Sequence, residues 1–246
     1  MRSSLLTALM LIMAAAQSTP APSARVPVVV ELFTSEGCSS CPPADALLSK
    51  LAQEQPVPGV EIIPLGMHVT YWDQLGWKDA ASLPLATTRQ QDYAVVFGTD
   101  RIYTPQAVID GQDEVVGSDE AALRRAIARA AKRPHLNMDL TASVERDGIH
   151  ADVSFGALPA DQHDEGPREP MRTVIIITED DVTSVVKRGE NGGRTLHHAA
   201  VVRRVVEGGK LGQLAPEWNR SHLRLTALAQ GKQTRHIYAA ATVPLK

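Results

Sequence analysis

The chain has 246 residues, of which 43% are hydrophobic, enough to build one large domain or two modest ones. The formal net charge of −3 and the isoelectric point near 6.2 argue against nucleic-acid binding, which usually needs a basic surface. Neither the composition nor the charge indicates a disordered chain.

Residues 1–25 have the pattern of a signal peptide and leader. Arg2 supplies a positive charge, an apolar run follows from Leu5 to Ala15, and Ala14-Ala15-Ala16 fits the small-x-small cleavage pattern. The apolar run is too short to cross a bilayer, so we expect no stable membrane insertion. A buried N-terminal helix is the alternative, but a Pro-rich exit without a helix cap favours export. We therefore expect a periplasmic or secreted protein after signal peptide cleavage.

The next hundred residues alternate between strand and helix patterns. Val26–Thr34 predicts a buried strand, because it is almost continuously apolar. Pro42–Gln53 predicts a helix, because prolines occupy its first turn and apolar residues recur at helical spacing. The further predicted elements are a strand at 60–69, a helix at 85–97, strands at 106–109 and 114–116 around an Asp110-Gly111 turn, and a helix at 119–132 capped by Ser118.

The composition changes after Lys132-Arg133-Pro134, which predicts a domain boundary near 133–135. Residues 136–144 and 149–155 alternate between apolar and polar around Asp147-Gly148, which indicates a β-hairpin. Further strands are predicted at 171–179, 195–207, 221–229 and 234–243. The predicted fold class is therefore an α/β thioredoxin-like N-terminal domain, residues 26–133, followed by an all-β, sandwich-type C-terminal domain, residues 134–246, each with its own core.

The chain has only two cysteines, Cys38 and Cys41, and both lie in one Cys-x-x-Cys motif between a strand and a helix. A helix N-terminus offers unpaired N–H groups and a positive dipole end, which favour a thiolate. We expect Cys38 to be the exposed attacking thiol and Cys41 the more buried resolving thiol. A structural disulfide is the alternative, but a bridge that closes so short a loop stabilises a fold by only roughly 2 kcal/mol. Thiol exchange is the preferred hypothesis.

Metal binding by the same cysteines is a second alternative. Two thiolates alone cannot complete a zinc site, although they could bind Cu(I) with help from His68. His197 and His198 are adjacent in a predicted strand and should point to opposite faces, which disfavours a shared metal. We expect no metal and no cofactor.

The stretch from Val28 to Leu48 resembles thioredoxin-fold oxidoreductases in layout, and Thr104-Pro105 matches the place of their cis-proline loop, so we predict a cis bond there. Four segments resemble a bacterial family of secreted proteins more closely, domain of unknown function 1223. They are ELFTSEGCSSCPPADALL (31–48), HVTYWDQLGWKD (68–79), YTPQAVIDG (103–111) and RGENGGRTLHH (188–198). This resemblance implies a thioredoxin-like first domain and no particular substrate. Gly37 and Ser39-Ser40 depart from thioredoxin, so the direction of the redox reaction stays open.

The resulting hypothesis is an exported thiol-disulfide oxidoreductase or thiol-exchange protein. Its partner would be an exported protein or a small thiol or disulfide, held by backbone pairing. The predicted catalytic residues are Cys38, Cys41 and Pro105. The predicted substrate-binding residues are Thr104, Tyr103 and Trp72. A non-catalytic thioredoxin-like binding protein and a copper-handling module are the competing hypotheses.

Overall fold

The computed structural model describes residues 25–156, 169–208 and 210–245, so most of the predicted signal peptide and leader lies outside the described residues. The helices are α1 (Pro42–Glu54), α2 (Pro84–Val96) and α3 (Glu120–Ala130). The strands are β1 (Val26–Thr34), β2 (Val60–His68), β3 (Gln106–Ile109), β4 (Asp113–Val116), β5 (Met138–Glu145), β6 (Gly148–Phe155), β7 (Met171–Glu179), β8 (Val182–Val185), β9 (Thr195–His198), β10 (Val201–Val206), β11 (Leu223–Gly231) and β12 (Ile237–Pro244). No helix in the described part of the chain has the length and apolar character needed to span a membrane.

The local sequence accounts for most of these elements. Strand β1 and helix α1 form where they are predicted, and α1 begins with its two prolines in the first turn, where no N–H partner is needed. Helix α3 is capped by Asp119, whose carboxylate accepts from the Ala122 N–H at 2.9 Å. The predicted cap, Ser118, is therefore wrong by one residue. The predicted strand 195–207 is two strands, β9 and β10, separated by a bend at Ala200.

Eight of the twelve strands given above form one mixed sheet, in the order β12-β11-β7-β10-β2-β1-β3-β4. The pairs β5–β6 and β8–β9 form separate two-stranded sheets. Strands β1 and β2 pair in parallel, whereas β7, β11 and β12 form an antiparallel group. The two groups join where β10 meets β2, and there the Gly66 N–H donates to the Ala200 carbonyl at 2.8 Å. A Cβ on Gly66 would lie 3.2 Å from the Ala199 carbonyl oxygen, so this close approach of two backbones requires glycine.

Both faces of the sheet are covered, and one of the cores runs across the predicted boundary. On one face, Val29 and Phe33 of β1 share a cluster with Ile176 of β7 and Leu228 of β11. On the other face, helices α1 and α3 cover the β1 end of the sheet, and the β5–β6 hairpin covers the β7–β11 end. The protein is thus mostly β, built on a single large sheet.

The predicted fold class, an α/β thioredoxin-like domain followed by a separate all-β domain, is therefore wrong. The predicted boundary near 133–135 lies in the connection between α3 and β5, while the sheet continues across both parts of the chain. Polar contacts cross it as well: Arg89 of α2 donates to Glu31 of β1 at 2.9 Å and to Gln230 of β11 at 3.0 Å, and all three side chains are buried. Strand β1 is apolar along almost its whole length, so both of its faces must be buried. The later strands of the chain help to bury the second face.

A fragment ending at residue 133 should therefore fail to fold. It would remove the part of the β1 and β2 cover that Ile176 and Leu228 provide, and it would leave the buried Glu31–Arg89 pair without its Gln230 partner. We expect residues 26–133 to show no cooperative urea transition by circular dichroism, whereas residues 26–246 show one. A cooperative transition in the fragment would contradict the shared core.

Candidate functional site

The two cysteines are joined by a disulfide that closes the turn between β1 and α1. Their Cα atoms are 5.4 Å apart. The Cys38 N–H donates to the Ser35 carbonyl and the Cys41 N–H donates to the Cys38 carbonyl, each at 3.2 Å, which defines two successive tight turns. The Cys41 carbonyl accepts from Ala44 and Asp45 in the first turn of α1. The motif thus lies at a helix N-terminus, as the sequence predicts.

Neither sulfur reaches solvent in the disulfide form. Cys38 and Cys41 both have 0% exposure, whereas Ser39 and Ser40 between them are exposed. The prediction of an exposed Cys38 is therefore wrong for this state. The Ser40 hydroxyl lies 3.3 Å from the Cys38 sulfur, within hydrogen-bonding range of it.

The loop between β8 and β9 holds the cysteine turn from the other half of the chain. The Asn191 side-chain amide is completely buried and donates to the carbonyls of Glu36 and Cys38, both at 2.9 Å. At the surface, the Glu190 carboxylate accepts from the Ser39 N–H at 3.0 Å. The segment 188–194 is thus part of the site, and it satisfies backbone groups that burial would otherwise leave unpaired.

The predicted cis bond at Thr104-Pro105 is confirmed, and this loop adjoins the cysteine turn through Trp72. The Trp72 indole N–H donates to the Thr104 hydroxyl at 2.8 Å. A Cβ on Gly37 would lie 3.1 Å from the Trp72 Cβ, so glycine beside Cys38 lets the tryptophan pack against the turn. The structure therefore brings Trp72 and Thr104 together at the motif.

Tyr103 is placed differently from the other predicted substrate-binding residues. Its carbonyl accepts from the Gln90 side chain at 2.8 Å, which ties it to α2. Burial, together with the nearby Glu114 carboxylate, raises the pKa of its phenol to about 12. Among the described residues, no hydrogen bond links Tyr103 to the cysteine turn.

A buried ion pair lies directly behind the turn. His68 Nδ1 and Asp79 Oδ2 are 2.6 Å apart, and both side chains are shielded from solvent. Burial alone would raise the pKa of Asp79, but the His68 charge and hydrogen bond, with backbone N–H groups of Glu36 and Ala81, lower it to about 2. Burial opposes the charge on His68, yet Asp79 raises the pKa of this imidazole above its ordinary value. The pair is thus held in its charged form.

Glu36, two residues before Cys38, is the second buried acid of the site. It accepts from the Trp77 indole N–H at 2.6 Å. Burial and the neighbouring Asp79 charge raise the pKa of its carboxyl group. A charged Glu36 would oppose a thiolate at Cys38, and a protonated Glu36 would oppose it less.

Asp45 and His198 complete the buried cluster. Asp45 accepts from the Thr34 hydroxyl at 2.8 Å, and its burial raises its pKa to about 6. The His198 ring lies between two acids: Nδ1 is 3.7 Å from Asp45 Oδ2, and Nε2 is 3.7 Å from Glu36 Oε1. Neither nitrogen makes a hydrogen bond with any of the residues that the structure describes. Burial, reinforced by the charge of His68, lowers the pKa of His198 to about 3, so this imidazole is neutral.

Sequence reasoning missed this cluster as a unit. His68 was considered only as a copper ligand, and the structure instead pairs its Nδ1 with Asp79. Asp45 had a usable signal, because it is an acid on the apolar face of α1 between Ala44 and Leu47. The adjacent pair at 197 and 198 points to opposite faces as predicted, with His198 inward and His197 outward.

The His198→Gln variant of the oxidised protein should lose less stability than the unchanged protein when the pH falls from 7 to 5. At pH 5 the folded protein keeps His198 neutral, with a pKa of about 3, whereas the unfolded chain protonates it with an ordinary value of 6.5. The unfolded state thus binds more protons, and acidification to pH 5 destabilises the fold by about 2 kcal/mol through this residue. Asp45 acts in the opposite sense, since its raised pKa makes the folded state bind more protons between pH 3.8 and 6.

Urea unfolding at the two pH values measures the effect. His197→Gln is the matched control, because this neighbour is exposed on the opposite face of β9. The stability of His197→Gln should depend on pH in the same way as the stability of the unchanged protein. An unaltered pH dependence in His198→Gln would contradict the neutral buried imidazole.

Comparison with known proteins agrees with the chain-wide pattern of motifs. The family model described as Protein of unknown function (DUF1223) matches residues 29–242. The crystal structure of protein AGR_C_4864 from Agrobacterium tumefaciens is similar, with a TM-score of 0.64, 26% identity, and coverage of 91% of this chain and 96% of that one. HBP35 of Porphyromonas gingivalis has a TM-score of 0.62 at 15% identity, over 91% of this chain and 76% of that one, a likeness of fold alone. No curated protein matches the chain in sequence. The chain belongs to the DUF1223 family of proteins of unknown function.

Proposed function

We propose that this protein is an exported thiol-disulfide exchange protein that acts through Cys38 and Cys41. The observation that carries the proposal is the disulfide between them, which closes a turn at the N-terminus of α1. A bridge over so few residues contributes little to stability, whereas the helix end favours a leaving thiolate. The two properties together suit a reversible bond better than a structural one.

The proposed reaction is exchange with a dithiol or a disulfide on an exported protein. When a partner dithiol reduces the Cys38–Cys41 disulfide, a partner thiolate attacks the Cys38 sulfur, a mixed disulfide forms, and the Cys41 thiolate leaves. The second partner thiol then displaces Cys38, so that the partner becomes oxidised and both cysteines become thiols. The reverse sequence reduces a partner disulfide: the Cys38 thiolate attacks it to form the mixed disulfide, and Cys41 then attacks the Cys38 sulfur and releases the partner as a dithiol.

Cys38 is the better candidate for the sulfur that meets the partner. The exposed residues Ser39 and Ser40 follow it, and the Ser40 hydroxyl lies 3.3 Å from its sulfur. Hydrogen bonding to a thiolate lowers the pKa of the thiol. Cys41 instead caps the first turn of α1 and precedes two prolines.

Partner access requires the cover of the turn to move, since both sulfurs are buried in the disulfide form. Trp72 packs on one side, and the 188–194 loop holds the other through Glu190 and Asn191. The Glu190 contact is at the surface and involves one hydrogen bond, so it is the weakest part of this cover. Pro105 and Thr104 lie on the Trp72 side, where an extended partner segment would bind.

Separate serine variants test the proposal. Cys41→Ser keeps the attacking thiol and removes the resolving one, so covalent complexes with exported proteins should accumulate on a non-reducing gel and vanish with reductant. Cys38→Ser is the matched control and should trap none, because the remaining Cys41 thiol lies at the start of α1 and is followed by two prolines instead of exposed serines. Both variants are expressed with residues 1–25 intact. More trapping by Cys38→Ser would reverse the assigned roles.

The reduction potential separates exchange from a structural bond. Structural disulfides of secreted proteins typically lie below about −300 mV, so we expect this one to lie above that value in thiol redox buffers. A lower potential together with no trapped complex would contradict exchange. Stoichiometric Cu(I) binding by the reduced protein, without trapping, would instead favour the copper-handling hypothesis.

Ser40→Ala should raise the pKa of the Cys38 thiol in the Cys41→Ser background by about one unit, because one hydrogen bond to the thiolate is lost. The pH dependence of iodoacetamide alkylation measures this shift. Ser39→Ala is the control, since the Ser40 hydroxyl is the one beside the sulfur. An unchanged alkylation profile in Ser40→Ala would show that the hydroxyl does not stabilise the thiolate.

A further inference from the structure

We infer that His198 is a proton relay for the disulfide, passing protons between Asp45, which borders a solvent groove, and Glu36, which adjoins Cys38. The inference rests on the proposed exchange reaction and adds a route for its protons. It assigns a role to a histidine from the second half of the chain, far from the cysteine motif in sequence.

The reaction needs such a route because both sulfurs are buried. Reduction by a dithiol transfers two electrons to the disulfide and yields two thiols, while the dithiol becomes a disulfide and loses two protons. Each thiolate released in the interior is costly until it is protonated. The protons lost by the dithiol enter solvent, and an equal number must reach the two sulfurs, for which the relay supplies a route through the protein.

The geometry of His198 suits this transfer. Its two ring nitrogens face two different carboxyl groups at the same distance, 3.7 Å, and neither nitrogen has a hydrogen-bond partner among the described residues. A neutral imidazole can accept a proton on one nitrogen and release one from the other. A small shift that closes either gap would make a hydrogen bond on that side. Asp45 Oδ2 is likewise buried without a partner and faces this ring.

Asp45 connects the ring to solvent. A groove of about 430 Å³ lies between α1 and β9, and Asp45 lines it together with Lys50 and Arg194. The Asp45 side chain is more than nine-tenths buried, so it borders the groove with only a small part of its surface. Protons can therefore enter from the groove at Asp45 without any opening of the turn.

The ends of the relay lie on the two sides of the cysteine pair. The Asp45 N–H donates to the Cys41 carbonyl at 3.1 Å, one helical turn into α1. Glu36 is two residues before Cys38, and the Asn191 amide binds the carbonyls of both. Each cysteine thus has a buried acid close to it in the chain, Glu36 before Cys38 and Asp45 after Cys41, and His198 lies between these acids.

Burial and the charges around His198 keep the imidazole neutral. The His68 and His198 rings meet edge to face, with their centroids 4.8 Å apart, and His68 is paired with Asp79. Burial is the largest effect that keeps His198 neutral, and the His68 charge is the next. Asp79 partly offsets them, and His197 and Arg203 add smaller repulsion toward a positive imidazole. The relay therefore works by coupled gain and loss of a proton, and no stored imidazolium is needed.

The rate of disulfide reduction by dithiothreitol tests the inference on the full mature chain. We expect His198→Gln to slow reduction at pH 7 at least tenfold and His197→Gln to leave it unchanged. His198→Gly should be equally slow, and added imidazole should restore at least half of the lost rate. The same concentration of 1-methylimidazole, which has only one titrating nitrogen, should restore little. A purely structural role for His198 would not produce this difference between the two additives.

The outcomes are decisive in either direction. Reduction of His198→Gln at the rate of the unchanged protein would overturn the relay, as would equal rescue by both additives. Should His198→Gly fail to fold, the solvent deuterium isotope effect decides: the relay requires a larger effect in the unchanged protein than in His198→Gln. Because dithiothreitol replaces the partner, a failure to trap exported proteins with Cys41→Ser would remove the proposed function without altering this result.

Discussion

The arrangement of the site follows from the complete burial of a disulfide that closes a tight turn. Such a turn directs backbone carbonyls toward the interior, and each needs a partner there. Asn191 supplies the partner for two of them, and it comes from a loop more than 150 residues further along the chain. The cysteine turn therefore cannot take its native form until the β8–β9 loop has docked. This dependence ties the chemistry of the first half of the chain to the folding of the second.

The same dependence explains why charged groups collect behind the turn. His68, Asp79, Glu36, Asp45 and His198 are all buried, yet only the first two form a close ion pair. Burial of the others costs free energy that better-packed apolar residues would not cost. A fold retains such groups where function uses them, and perturbed protonation in a buried cluster is typical of reactive sites.

The four segments that resemble the family converge on this one place in the structure. The first carries the cysteines and Glu36, and the second carries His68, Trp72 and Asp79. The third contributes Thr104, which binds the Trp72 indole, and the fourth contributes Asn191 and His198. The segments are far apart in sequence and touch through side chains. The four segments therefore form one composite site.

The sequence by itself determined the local structure. The apolar run of β1, the prolines of α1 and the Asp147-Gly148 hairpin follow from local propensity and spacing, and each was predicted. The cis bond before Pro105 was predicted from the resemblance to the cis-proline loop of thioredoxin-fold proteins. Tertiary structure alone decided that β10 pairs beside β2, so that one sheet joins the two parts of the chain and one of the cores is shared between them. It also decided that Cys38 is covered and that His198 lies between Asp45 and Glu36. Periodicity shows which face of an element is apolar, but it does not show which distant element covers that face.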